Sequence, residues 1–228
     1  MKINKKLIFS LLIILTLLFL VNTESLAVSF MEFGSRLLKI NDEGPDVAIL
    51  QRKLKSINIY SGRVDGIFGE NTKIAVKNFQ RANKITIDGI VGKNTYKLFP
   101  KESLYSRMSY LREDIILLAR IINGEARGEN FKGKTAVGAV ILNRVKSNKF
   151  PDTIREVILQ KGQFSSLIDG QANLYPVKSS IAAARAALIG YDPTFGALFF
   201  YNPVVATNKE WIETRPVIKK IGDHIFAR

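Results

Sequence analysis

Cysteine is absent from the 228 residues, histidine occurs once and tryptophan once. Without cysteine there are no disulfides, so the fold must be held by packing, and no thiol nucleophile is available. A lone histidine, His224, excludes the zinc hydrolases, whose metal needs about three protein ligands, mostly His and Cys. His224 follows Gly222-Asp223 near the end of the chain and reads as a surface or structural residue. Neither Ser-x-x-Lys nor Gly-x-Ser-x-Gly occurs, which removes serine acyl-transfer enzymes with those signatures. No metal or cofactor is expected. The chemistry left to this chain is that of carboxylates.

What is present in excess is positive charge. The chain has 34 Lys and Arg against 20 Asp and Glu, a formal net charge of +14. Such a surplus suits nucleic acid, a membrane surface or an acidic wall polymer, and the N-terminus chooses among them. Lys2, Lys5 and Lys6 precede an apolar run of 15 residues, Leu7 to Val21, broken only by Ser10 and Thr16. Ser25-Leu26-Ala27 then places small residues where signal peptidase cuts. The run is short for a membrane span, which needs about 20 apolar residues. Residues 1–27 are therefore expected to be a signal peptide, the mature protein exported, and nucleic acid no partner. Removing three lysines and Glu24 lowers the net charge to +12, a charge suited to anionic wall polymers.

The strongest internal signal is a repeat. Asp65-Gly66-Ile67-Phe68-Gly69-Glu70-Asn71-Thr72 recurs 23 residues later as Asp88-Gly89-Ile90-Val91-Gly92-Lys93-Asn94-Thr95, with six of eight positions identical. Asp-Gly supplies turn chemistry, the second glycine permits positive φ, and Asn-Thr can cap a new helix. Gly44-Pro45-Asp46 opens a helix with proline near its first position, and Val47, Leu50, Leu54 and Ile57 form its apolar stripe. Ala75, Val76 and Phe79 follow the first phrase, and Tyr96, Leu98 and Phe99 the second. Residues 34–99 thus read as three short helices joined by two turns, a core of marginal size.

Residues 100–111 carry Pro, Ser and mixed charge and read as a linker. Beyond it, helices are predicted from Asp114 towards Gly124, over Ala136 to Val145, after a cap at Asp152 or Thr153, and from Pro176 to Gly190. Residues 163–166, 197–201 and 221–228 read as extended. The fold class is mainly α with minor strand.

Within Asn123-Gly124-Glu125-Ala126-Arg127-Gly128-Glu129, Glu125 continues the stripe of Ile115, Leu118 and Ile122 at spacings of three, four and three. A carboxylate there is costly unless neutral, paired or at a cleft. Burial favours the protonated form, and a protonated glutamate near neutral pH is a general acid of the kind that breaks glycosidic bonds. The flanking glycines would let a sugar chain approach the backbone. Spacing alone equally allows a surface ion network of Glu125, Arg127 and Glu129.

Two resemblances bear on this choice. Glu43-Gly44-Pro45-Asp46-Val47, Leu50-Gln51, Leu54, Ala75-Val76, Phe79-Gln80 and both Asp-Gly phrases resemble the peptidoglycan-binding domain of many bacterial wall hydrolases. Residues from Asp114 to Arg228 resemble the catalytic domain of the spore cortex-lytic enzymes of the SleB and CwlJ type. The matching phrases include Leu118-Ala119-Arg120, Gly124 to Glu129, Ala136 to Val145, Phe150-Pro151, Gln163-Phe164-Ser165, Asp169-Gly170-Gln171, Asp192-Pro193-Thr194, Ala197 to Pro203 and Arg215-Pro216. The tandem with a binding module is similar to the SleB type, since CwlJ-type members lack that module. The resemblance implies a three-helix binding domain at 34–99 followed by a lysozyme-like α+β catalytic domain at 112–228. It implies lytic transglycosylase activity on N-acetylmuramic acid–N-acetylglucosamine bonds of spore cortex in germination. It places Glu125 in the catalytic position and implies a separate membrane-associated partner protein. Glu129 is expected to orient Arg127 or the site, or else to be a surface acid. Phe164, Ser165, Tyr201 and Asn202 are cleft candidates that core packing would also explain, whereas Phe199 and Phe200 read as core. Trp211 suits either use. The rival readings are a hydrolytic muramidase using Asp169 or Glu129 as a second carboxylate, and a non-catalytic wall-binding protein.

Overall fold

The computed structural model describes residues 33–99, 112–206 and 214–228. The expected signal peptide, the linker 100–111 and Trp211 lie outside the described residues. Helices α1 (Pro45–Ser56), α2 (Glu70–Ala82) and α3 (Lys93–Tyr96) form the N-terminal module. Its core gathers Val47, Leu50, Leu54, Val76 and Phe79 of the apolar stripes read above, together with Leu38, Phe68 and Val91. Ile57 falls out of that stripe: it is the C-cap of α1 and is exposed.

The repeated phrases do more than turn the chain. Buried Gln51 of α1 donates from Nε2 to Asp65 Oδ1 at 2.9 Å, Ile67 O at 3.0 Å and Thr72 Oγ1 at 3.1 Å, and its Oε1 accepts from Gly66 N at 2.8 Å. Gln80 of α2 repeats this on the second phrase, reaching Asp88 Oδ1 at 2.7 Å, Ile90 O at 2.9 Å and Thr95 Oγ1 at 3.3 Å, and accepting from Gly89 N at 2.9 Å. Asn71-Thr72 and Asn94-Thr95 therefore do not cap. The N-caps are Gly69 and Gly92, and each threonine accepts the amide of the preceding helix's glutamine. A fully satisfied buried network of this kind specifies the loop it holds.

The second core lies in α4 (Arg112–Ala126), α5 (Phe131–Val145), α6 (Ile154–Leu159) and α8 (Lys178–Ile189), with Phe164 entering it just ahead of the one-turn α7 (Ser165–Ile168). Alanines 183, 184 and 187 let α8 lie close to α4 and α5. Gly138 lets α5 approach further, because a Cβ there would sit 2.8 Å from Ile122 Cδ1. Helix α5 starts five residues ahead of the predicted Ala136, where Asn130 caps it by accepting from Gly133 N at 2.9 Å. Thr153 caps α6 and left-handed Gly190 closes α8, as expected. Residues 163–166, predicted extended, instead lead into α7, which Phe164 precedes as N-cap. Strands β1 (Phe199–Tyr201), β2 (Val217–Ile221) and β3 (His224–Ala227) form an antiparallel sheet in the order β1-β3-β2. It covers α5 through Ala136, Val140, Ala197, Ile221 and Phe226.

The module is seated on this domain. Ala48 and Ile49 pack against Ala186, Ile189 and Tyr191. Arg52 donates to the last carbonyls of α8, Leu188 O at 3.2 Å and Ile189 O. Asp192 N donates to Asp65 O at 2.9 Å, and Arg63 pairs with Asp192. Gly66 makes the seat possible, since a Cβ there would meet the Tyr191 ring at 2.6 Å.

Candidate functional site

Glu125 lies in the last turn of α4 and is half-buried. It does extend the stripe of fully buried Leu118 and Ile122, but at the rim of the core, where α7 closes over it. Ser166 N donates to Glu125 Oε1 at 2.8 Å. The exposed Ser165 hydroxyl stands 3.4 Å from Oε1 and 3.3 Å from Oε2. One carboxylate oxygen thus carries a backbone donor and the other only a rotatable hydroxyl.

The contact depends on Gly124. A Cβ there would lie 2.3 Å from Ser166 Cβ and 2.7 Å from its Oγ, so α7 can reach Glu125 only because position 124 has no side chain. The expectation that both flanking glycines admit a sugar chain is thus corrected at Gly124, which α7 covers. At Gly128 the space is open: a Cβ there would have nothing within 4 Å.

Behind α7 stands Arg144, buried at the end of α5. It donates to Gln163 Oε1 at 3.1 Å and Leu198 O at 2.7 Å. Its guanidinium lies 5.1 Å from the Phe150 ring, 5.7 Å from Phe164 and 5.5 Å from Phe199, geometry that suits cation–π attraction. Burial draws its pKa down to about 10, so it is charged near neutral pH. Arg144 moors the 163–166 segment that presents Ser165 and Ser166.

The other expected residues separate. Phe164 is 1% exposed and belongs to the core, so its ring is not a cleft wall. Glu129 does not engage Arg127: its Oε1 accepts from Asp223 N and His224 Nδ1, each at 2.8 Å, with both side chains largely buried. Gly222 lets the hairpin close on it, since a Cβ there would fall 1.7 Å from Glu129 Oε2. Glu129 and His224 fasten the start of α5 to the sheet. Asp169 is exposed and spends both oxygens on Gln171, N and Nε2 each at 2.9 Å. Asn202 Oδ1 accepts from Val204 N at 2.9 Å in a turn, and Tyr201 ends β1 opposite Ile225; neither hydrogen-bonds to Glu125 or Ser165. Phe200 packs into the core, whereas Phe199 lies beneath Arg215, 4.0 Å from ring centre to guanidinium. Spacing does not single out Ser166, Arg144 or the Glu129–His224 pair. Their partners are 19 to 95 residues away.

A glutamate is thus held at a helix end in a domain bearing a small three-helix module, and comparison with known proteins gives the class: a two-part peptidoglycan-active enzyme. The cell wall hydrolase family model matches residues 128–227, and the putative peptidoglycan binding domain model matches residues 43–99. The chain belongs to the spore cortex-lytic enzyme family. It is 37% identical to the spore cortex-lytic enzyme of Bacillus cereus over 86% of this chain and 88% of that one. It is 33% identical to the enzyme of that description from Oceanobacillus iheyensis, again over 86% and 88%. Among solved structures, the catalytic domain of the germination-specific lytic transglycosylase SleB from Bacillus anthracis matches with a TM-score of 0.50 at 48% identity, covering 53% of this chain and 98% of that one. The fold is accordingly a peptidoglycan-binding module followed by a SleB-type catalytic domain. Glu125 lies just ahead of the residues that the hydrolase family model matches, so its role is argued from geometry.

Proposed function

We propose that this chain degrades spore cortex peptidoglycan in germination as a lytic transglycosylase, cleaving N-acetylmuramic acid–N-acetylglucosamine bonds with Glu125 as its single acid and base. The observation that carries this reading is the holding of Glu125 by Ser166 N–H and Ser165, while Glu129 and Asp169 are bonded elsewhere. The protonated carboxyl gives its proton to the glycosidic oxygen as the bond to muramic C1 breaks. The carboxylate then takes the proton of the muramic 6-hydroxyl as that oxygen bonds to C1, which restores the acid and consumes no water. Ser166 N–H is a fixed dipole on Oε1 during the anionic interval, leaving Oε2 to move the proton. The product on purified cortex should be a 1,6-anhydromuramic end, read by mass spectrometry. Reducing muramic ends would instead support a hydrolytic muramidase.

Export belongs to the same reading: N-terminal sequencing of the mature protein should begin at or near Val28, and a chain retaining Met1 in the membrane would overturn it. The membrane-associated partner implied by the resemblance would meet the enzyme after export. The module supplies residence on the wall. Deleting residues 34–99 should weaken pelleting with peptidoglycan yet leave measurable lysis, consistent with the solved SleB catalytic domains being separate chains. The deletion also uncovers Ala186, Ile189 and Tyr191 and strips Asp192 of Arg63, so the melting temperature should fall.

A further inference from the structure

A cavity of about 840 Å³ opens where the module meets the catalytic domain. Seven of its fifteen lining residues are Lys or Arg and none is Asp or Glu. Arg52, Lys55 and Arg63 come from the module, and Lys146, Lys149 and Arg228 face them from the catalytic domain. Glu125, Ser165 and Ser166 are not in the lining, so this is a second site. Its seam is built rather than accidental. Gly190 (φ 110) and Gly196 (φ 89) bring bare backbone against the module, where a Cβ would stand 2.9 Å from Val64 Cγ1 and 2.8 Å from Arg63 Nη1. The nearby carboxylate, Asp192, is already consumed by Arg63, Asn143, Thr194 and Gly196. Lys146 and Lys149 have no side-chain hydrogen bond or ion pair among the described residues. Desolvation first, and then the neighbouring Arg63 and Arg52, hold the Lys146 ammonium below its ordinary pKa, although Asp192 pulls the other way.

We propose that this cavity binds the carboxylate-bearing stem peptide of a peptidoglycan strand, gripped by both domains at once. The proposal rests on the substrate reading above. Its volume falls in the range that takes a small-molecule-sized ligand, about 300–1,000 Å³, more than a single ion needs. The ammonium groups of Lys146 and Lys149 offer charge-assisted hydrogen bonds to carboxylates, and Phe150 and Phe199 give the peptide's aliphatic parts an apolar wall. Part of the chain's large positive charge thereby acquires a place and a ligand.

The test uses the chain from Val28 and a fluorescent stem tetrapeptide without sugar, with binding read by anisotropy. The Lys146→Gln/Lys149→Gln protein should bind about tenfold more weakly at an unchanged melting temperature, and should lose the wild-type preference for peptide-bearing over peptide-free glycan strands. Equal binding by wild type and variant, or displacement of the peptide by an equimolar amount of inorganic phosphate, would overturn the proposal. Cleavage of intact, peptide-bearing cortex strands by the wild type is measured alongside. Its absence would mark failure of the substrate reading itself, whereas cleavage without peptide binding would mark failure of the cavity assignment alone.

Discussion

Glu125→Gln should lower muropeptide release from purified cortex by about 10²- to 10⁴-fold, the usual contribution of general acid–base catalysis, while the protein still folds and pellets with peptidoglycan. Glutamine can still accept from Ser166 N and Ser165, so the contact that seats α7 survives. What is lost is the ability to give a proton to the leaving oxygen and take one back. The comparison is Glu129→Gln. That carboxylate is enclosed with His224 and Asp223 N; glutamine keeps an acceptor oxygen but loses the charge, and hydrogen bonds to charged groups contribute about 1.5–3 kcal/mol, more than neutral ones. Its signature should be a lower melting temperature with lysis retained wherever the protein is folded. Circular dichroism separates the two effects. Near-wild-type release by the Glu125→Gln protein would move the search to Glu129 and Asp169.

Gly124→Ala should be nearly as damaging to activity, for a different reason. The added methyl would sit 2.3 Å from Ser166 Cβ, so α7 must retreat and take Ser166 N–H away from Glu125. Overpacking of this kind costs about 1–3 kcal/mol, which lowers the melting point by about 2–4 °C per kcal/mol in a chain of this size. A misplacement of about 1 Å at a catalytic group costs on the order of 10²-fold in rate. Gly128→Ala is the control, because the new methyl meets nothing within 4 Å; stability and lysis should both stay close to wild type. A fully active Gly124→Ala protein would show that the α7 contact does not position Glu125. Loss of lysis in Gly128→Ala at unchanged melting temperature would show that substrate passes over position 128.

The parts of this molecule legible in the sequence are those whose cause is local. The stripes of α1 and α4, the cap at Thr153, the stop at Gly190 and the two Asp-Gly turns all follow from near neighbours. The purpose of Gln51 and Gln80 is not legible, because each reads a loop beyond its own helix, 14 to 21 residues on in one case and 8 to 15 in the other. Glu125 stands out because a carboxylate on an apolar stripe demands an explanation. Glu129 looks like a surface acid since its partners lie 94 and 95 residues downstream. Phe164 passes for a sugar platform because an aromatic beside serines looks solvent-facing until Arg144 and the core are placed behind it. Helix α7 has only four residues, too few to show a period. The repeat hides a further role: Gly66 serves both its turn and the seat of Tyr191, whereas Gly89 meets only the side chains of Lys73 and Lys77.

The most direct measurement is digestion of purified cortex in water enriched in ¹⁸O, with the new muramic ends weighed by mass spectrometry. A single-glutamate transglycosylase closes the end with the sugar's own 6-hydroxyl, so the ends should be 1,6-anhydro and carry no ¹⁸O. One ¹⁸O per reducing muramic end would mean that water is the nucleophile and would contradict the account.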